Sequence, residues 1–169
     1  DYPFTTLTPQ LGVVGSPGWG DPFVLADLPG LIAGAAAGAG LGTRFLRHAE
    51  RCRVLVHLVE LSALDEAGDA AEDLATVERE LEAFDPELAR RPRLVVGSKA
   101  DAAVEERRRQ LRAAAEERGL RYLEISSATR SGLDALQVEI RRLLAEARAA
   151  EEAAGGEGGD DEPLVGAES

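Results

Sequence analysis

Leu94-Val95-Val96-Gly97-Ser98-Lys99-Ala100-Asp101 is the stretch whose reading decides the fold. Its three apolar residues are a short buried-strand run, and the polar exit leads into residues 104–117, whose apolar positions recur at helical spacing. The same change of period is repeated along the chain. Residues 11–14, 23–28, 54–61 and 122–125 read as further strands, and residues 43–49, 70–84 and 133–149 as helices. Within 70–84, Leu74, Val77, Leu81 and Phe84 share one helical face; within 133–149, Leu136, Ile140, Leu143 and Leu144 do. Strands alternating with helices imply crossover units, so the expected class is α/β: a doubly wound, mostly parallel sheet with helices on both faces.

With 169 residues, 44% of them hydrophobic, the chain can bury one sizeable core. A single domain over residues 1–149 is expected. Residues 150–169 carry seven acids and no base, so only −5 of the formal −12 falls on the body. With Gly155, Gly156, Gly158, Gly159 and Gly166 also present, that tail reads as disordered. The acidic balance argues against direct DNA binding, which needs clustered cations. No apolar run is long enough for a membrane span. Cys52 is the sole cysteine, a small filler at an expected helix end, and suits a reducing cytoplasm.

In sheets of this kind ligands bind at the carboxyl ends of the strands. Asp27-Leu28-Pro29-Gly30 leaves one such end: the acid can hold a magnesium ion through water, and the glycine lets a backbone N–H approach a phosphate. At the next, Ser98-Lys99-Ala100-Asp101, a carboxylate can accept two hydrogen bonds from guanine, and the lysine stem can lie over the base. After residues 122–125, the small Ser126, Ser127 and Ala128 can bring backbone amides to the guanine carbonyl. Thr5 and Thr6 add hydroxyls suited to a magnesium-sensing loop. Each motif alone fits an ordinary turn or helix start; their order and their places after strands fit one nucleotide site.

On these residues the chain resembles the Obg family of GTPases. Asp1-Tyr2-Pro3-Phe4-Thr5-Thr6-Leu7 is similar to that family's first switch. Asp27-Leu28-Pro29-Gly30-Leu31-Ile32, the glycine-rich 34–42 stretch and Phe45-Leu46-Arg47-His48 are similar to its second switch and the helix after it. The likeness runs on through Val56-His57-Leu58-Val59 to about Ala145. It implies a P-loop NTPase-like fold and a switch that hydrolyses GTP to GDP with magnesium in assembly of the large ribosomal subunit. By the match, Thr6 and Asp27 would hold magnesium, and Thr6 and Gly30 would act in catalysis. Phe4, Thr5, Thr6, Leu7, Thr8, Asp27, Leu28, Pro29, Gly30, Ser98, Lys99, Ala100, Asp101, Ser126, Ser127 and Ala128 would line the nucleotide. Leu31 stands where Ras-like enzymes keep a water-orienting glutamine, so turnover should be slow unless a potassium ion or a ribosomal partner completes the site.

The sequence departs from the family at three places. Ser98 replaces the usual asparagine before the lysine, and Glu60 stands where aspartate is common. No Gly-x-x-x-x-Gly-Lys-Ser/Thr loop occurs in the 169 residues, although that loop supplies most of the phosphate grip. The chain, which contains no methionine and opens on Asp1-Tyr2-Pro3-Phe4, is therefore expected to be a fragment that binds GTP weakly. The strand preceding that loop lies, in these GTPases, between the strands ending at Leu28 and beginning at Val54, so an unfilled slot is expected there. Another ribosome-associated GTPase family and a non-enzymatic module on this fold are the alternatives. The Gly38, Gly40 and Gly42 spacing does not fit a dinucleotide loop, neither His48 nor His57 has the neighbours of a metal site, and Arg107-Arg108-Arg109 reads as a solvated helix face.

Overall fold

A computed structural model describes residues 10–15, 18, 20–27, 51–62, 68–154 and 164–168. The strands are β1 (Leu11–Val14), β2 (Phe23–Asp27), β3 (Cys52–Glu60), β4 (Arg93–Ser98), β5 (Arg121–Glu124) and β6 (Leu164–Glu168), and the helices are α1 (Ala70–Phe84), α2 (Glu105–Glu117) and α3 (Leu133–Ala153). Among the described residues the strands form one sheet in the order β1-β2-β6-β3-β4-β5. Only β1 runs antiparallel, pairing with β2 through Leu11↔Ala26 to Val14↔Phe23. The other pairings are parallel.

Alternation along β3 divides the core. Val54 and Val56 point with Phe23, Leu94 and Val96 toward Ile140, Leu143 and Leu144 of α3. Val59 and Val95 meet Leu74 of α1 and Leu111, Ala114 and Ala115 of α2 on the opposite face. Below them Leu55 and Cys52 pack on Leu81 and Leu88. Each buried leucine contributes roughly 2 kcal/mol of transfer free energy, so this double-sided core holds α3 on one face of the sheet and α1 and α2 on the other. α1 begins where expected because the Asp69 carboxylate accepts the Ala71 N–H at 2.7 Å, satisfying an N-terminal donor.

Three expectations change. Cys52 opens β3 and is fully buried; it is a filler, but in a strand rather than at a helix end. α3 runs on to Ala153, past the boundary expected at Ala150, because its alanine- and glutamate-rich last turns keep high helix propensity. Leu164–Glu168 is a strand where a disordered tail was expected. It lies parallel to both neighbours, pairing Val24↔Leu164 to Asp27↔Ala167 on one side and Cys52↔Leu164 to His57↔Glu168 on the other. The slot expected to be open between β2 and β3 is thus filled, and backbone groups on both neighbours find partners. The expected helix over residues 43–49 lies outside the described residues.

Candidate functional site

Asp27, Glu60, Ser98 and Glu124 end β2, β3, β4 and β5, so the candidate residues gather along one edge of the parallel sheet. There the residue 98–101 loop is built as a fixed turn. Ser98 is the register partner of Glu60, and the Ser98 carbonyl accepts the Leu61 N–H at 3.0 Å. Lys99 then adopts φ 53°, ψ 43°, the left-handed region that non-glycine residues enter at a cost. A tight turn through Ala102 N–H to the Lys99 carbonyl, 3.0 Å, closes it. Gly97 just before it makes room for Leu61: a Cβ there would lie 2.5 Å from Leu61 Cδ1, so the leucine side chain would have to shift.

This loop is joined to the second predicted one. Ala100 N–H donates to the Ile125 carbonyl at 3.0 Å, and Ile125 N–H donates to the Gly97 carbonyl at 2.8 Å. Ser126 is buried; its hydroxyl accepts the Thr129 N–H at 3.1 Å and its own N–H donates to the Ser131 carbonyl at 3.0 Å. Those bonds leave Ser127 and Ala128 exposed at the rim. Asp101 is exposed as well. Asp27 is also exposed, at the same sheet edge but beyond β6, and its N–H donates to the Gln10 carbonyl at 2.9 Å.

Sequence reasoning missed the supports beneath these loops. Lys99 Nζ donates to Glu60 Oε1 at 2.8 Å, and Ser62 Oγ donates to the same carboxylate oxygen. The Lys99 and Ser62 hydrogen bonds hold the Glu60 carboxyl below its ordinary range. Arg107, expected in solvent, is buried: its guanidinium donates to the Glu60 carbonyl at 2.9 and 3.1 Å, to the Gly68 carbonyl, and to Asp73 Oδ2 at 2.7 Å. Arg108 bridges Glu124 at 2.8 Å and the Ala100 carbonyl at 3.3 Å. Of the three arginines only Arg109 has the expected exposed side chain. Burial raises the Glu124 carboxyl, but hydrogen bonds from Tyr122 and Arg108 outweigh it and leave it lowered, so it is a carboxylate that fixes Arg108. The signal available was position: Glu60 and Glu124 both close parallel strands.

Magnesium fits the donor chemistry only in part of the described structure. Asp27 offers an exposed carboxylate at a strand end, suited to a hard cation that takes one or two carboxylates and otherwise water and phosphate. No group of three metal-ligating side chains occurs among the described residues, so Asp27 would need ligands from elsewhere. Phe4, Thr5, Thr6, Leu7, Thr8, Leu28, Pro29 and Gly30 lie outside the described residues. No helix among the described residues is long and apolar enough to cross a membrane.

The sequence model of a family described as 50S ribosome-binding GTPase matches residues 1–99. Over 150 residues the chain is 53% identical to the GTPase Obg of Syntrophotalea carbinolica, covering 88% of this chain and 42% of that protein. It is 53% identical over 146 residues to the GTPase Obg of Desulforudis audaxviator, covering 85% and 33%. It is 52% identical over 145 residues to that of Synechococcus, covering 85% and 43%. The chain therefore spans less than half the length of these relatives.

Proposed function

This chain belongs to the 50S ribosome-binding GTPases and, within them, to the Obg family, and from that membership we propose that it supplies the base-reading and switch portion of a GTP-hydrolysing molecular switch. The observation that carries this reading is the hydrogen-bonded union of the residue 98–101 turn with Ser126 through Ala100 and Ile125, at the carboxyl ends of β4 and β5. Asp101 accepts the guanine N1–H and exocyclic amine, a pair of donors adenine does not offer. The Lys99 stem covers one face of the base. Backbone amides of Ser127 and Ala128 address the guanine carbonyl; the Ser126 N–H, assigned with them from the sequence, is instead taken by the Ser131 carbonyl and turns the chain there.

Asp27 and Thr6 hold magnesium, and Gly30 meets the terminal phosphate. Bound magnesium neutralises charge on the phosphates. With Leu31 unable to orient water, turnover is slow until a potassium ion or a ribosomal partner completes the site. The biological role is assembly of the large ribosomal subunit, in the cytoplasm.

Residues 1–169 alone bind GTP weakly, because no lysine-bearing phosphate loop is among them. Calorimetry should give weak or undetectable GTP binding to residues 1–169 with magnesium and much tighter binding to the complete protein. Equal, tight binding by both would overturn this assignment of roles. A complete reading frame with no such loop would instead favour a non-enzymatic module.

A further inference from the structure

Glu60 and Ser98, at the ends of β3 and β4 beside the base-reading turn, are register partners. The Glu60 carboxylate meets the Lys99 ammonium at 2.8 Å. The Ser98 hydroxyl lies 3.5 Å from the Val59 carbonyl, too far to hold the turn firmly, so the restraint on Lys99 comes from Glu60. We infer that Glu60 is a positioning residue for guanine recognition, holding Lys99 over the base. This rests on the reading of residues 98–101 as the base-reading turn.

Three features fit a positioning role. Lys99 is the sole lysine of the chain; its other eighteen cations are arginines. A flexible stem with a compact ammonium at its tip suits lying along a base plane in a way a guanidinium fork does not, but its rotamers must be restrained. Glu60 supplies that restraint from a rigid mount. Its carbonyl is gripped by buried Arg107, its carboxylate is oriented by Ser62, and Ser62 itself is bridged to Ala103 beyond the turn. The pair is half-open to water, so its effect lies in ordering Lys99 rather than in stabilising the fold.

The test is a double-mutant cycle for GDP affinity in the complete protein, with thermal midpoints measured alongside. Glu60→Gln should weaken GDP binding about fivefold, the equivalent of freeing one long side chain, at an unchanged midpoint. Lys99→Ala should weaken it more, and the double variant no further than Lys99→Ala alone. Glu60→Asp, a carboxylate one carbon shorter, should also weaken binding at an unchanged midpoint. Additive losses, or no loss on Glu60→Gln, would overturn the inference while leaving the base-reading assignment intact. If neither Lys99→Ala nor Asp101→Asn alters GDP binding, the assignment of the turn itself fails.

Discussion

Arg107 Nη2 lies 2.9 Å from the Glu60 carbonyl, and through that bond a buried cation on α2 supports the strand end that faces the base-reading turn. Truncation would strand the Glu60 and Gly68 carbonyls and the α1 residue Asp73 without their donor. Arg107→Ala should therefore cost about 2–4 kcal/mol in urea unfolding. Arg109→Ala, at an exposed side chain paired only with Glu106, should change stability by less than about 0.5 kcal/mol. Equal effects at the two positions would contradict the burial of Arg107.

Gly132 opens α3 at φ 76°, and a Cβ there would lie 2.1 Å from the Glu124 carbonyl oxygen. Backbone cannot retreat as a flexible side chain can. Gly132→Ala should destabilise the protein by roughly 2–4 kcal/mol and weaken guanine binding by shifting residues 126–131. Chemical denaturation checks the first effect and nucleotide titration the second.

His57 is buried in β3, and burial, aided by the Arg93 charge, lowers its imidazole from 6.5 to about 4. The unfolded chain therefore takes up the proton first as pH falls. Its stabilising contribution is complete above the unfolded value of 6.5 and is lost as pH drops toward the folded value of about 4. Between about pH 7.5 and pH 5 the loss should be roughly 2 kcal/mol. His57→Leu should flatten that slope, as read from urea midpoints at the two pH values. The lowered carboxylates Glu60, Glu124 and Glu139 act in the same direction, at lower pH.

β6 joins β2 to β3, so a chain ending at Ala154 should expose two parallel strand edges. Hydrogen exchange at residues 23–27 and 52–57 should quicken markedly on that truncation. Unchanged exchange would mean that Leu164–Glu168 does not occupy the slot.

Most of the framework was legible because period and burial agree. Leu94, Val95 and Val96 sit in β4, and Leu74 and Leu81 point inward from α1 over residues 70–84, as their spacing requires. Residues 164–168 form a strand although their composition reads as disordered, because composition reports the entropy of acidic, glycine-rich chain but not a vacancy elsewhere that rewards pairing, and their backbone pairs on both sides of such a vacancy. Arg107 was misread because charge suggests solvent, whereas three backbone and side-chain acceptors converge on it. The motif residues Ser98, Lys99 and Asp101 were visible by spacing. Glu60, Ser62 and Arg107 were not, since they support the turn from other elements with no fixed sequence distance to it.

Guanine recognition rests most directly on Asp101. In the complete protein, competition binding of GDP and xanthosine diphosphate to the Asp101→Asn variant should show a preference moved from guanine toward xanthine, since an amide can donate to the carbonyl that xanthine carries in place of the guanine amine. Guanine selectivity unchanged in that variant would contradict it.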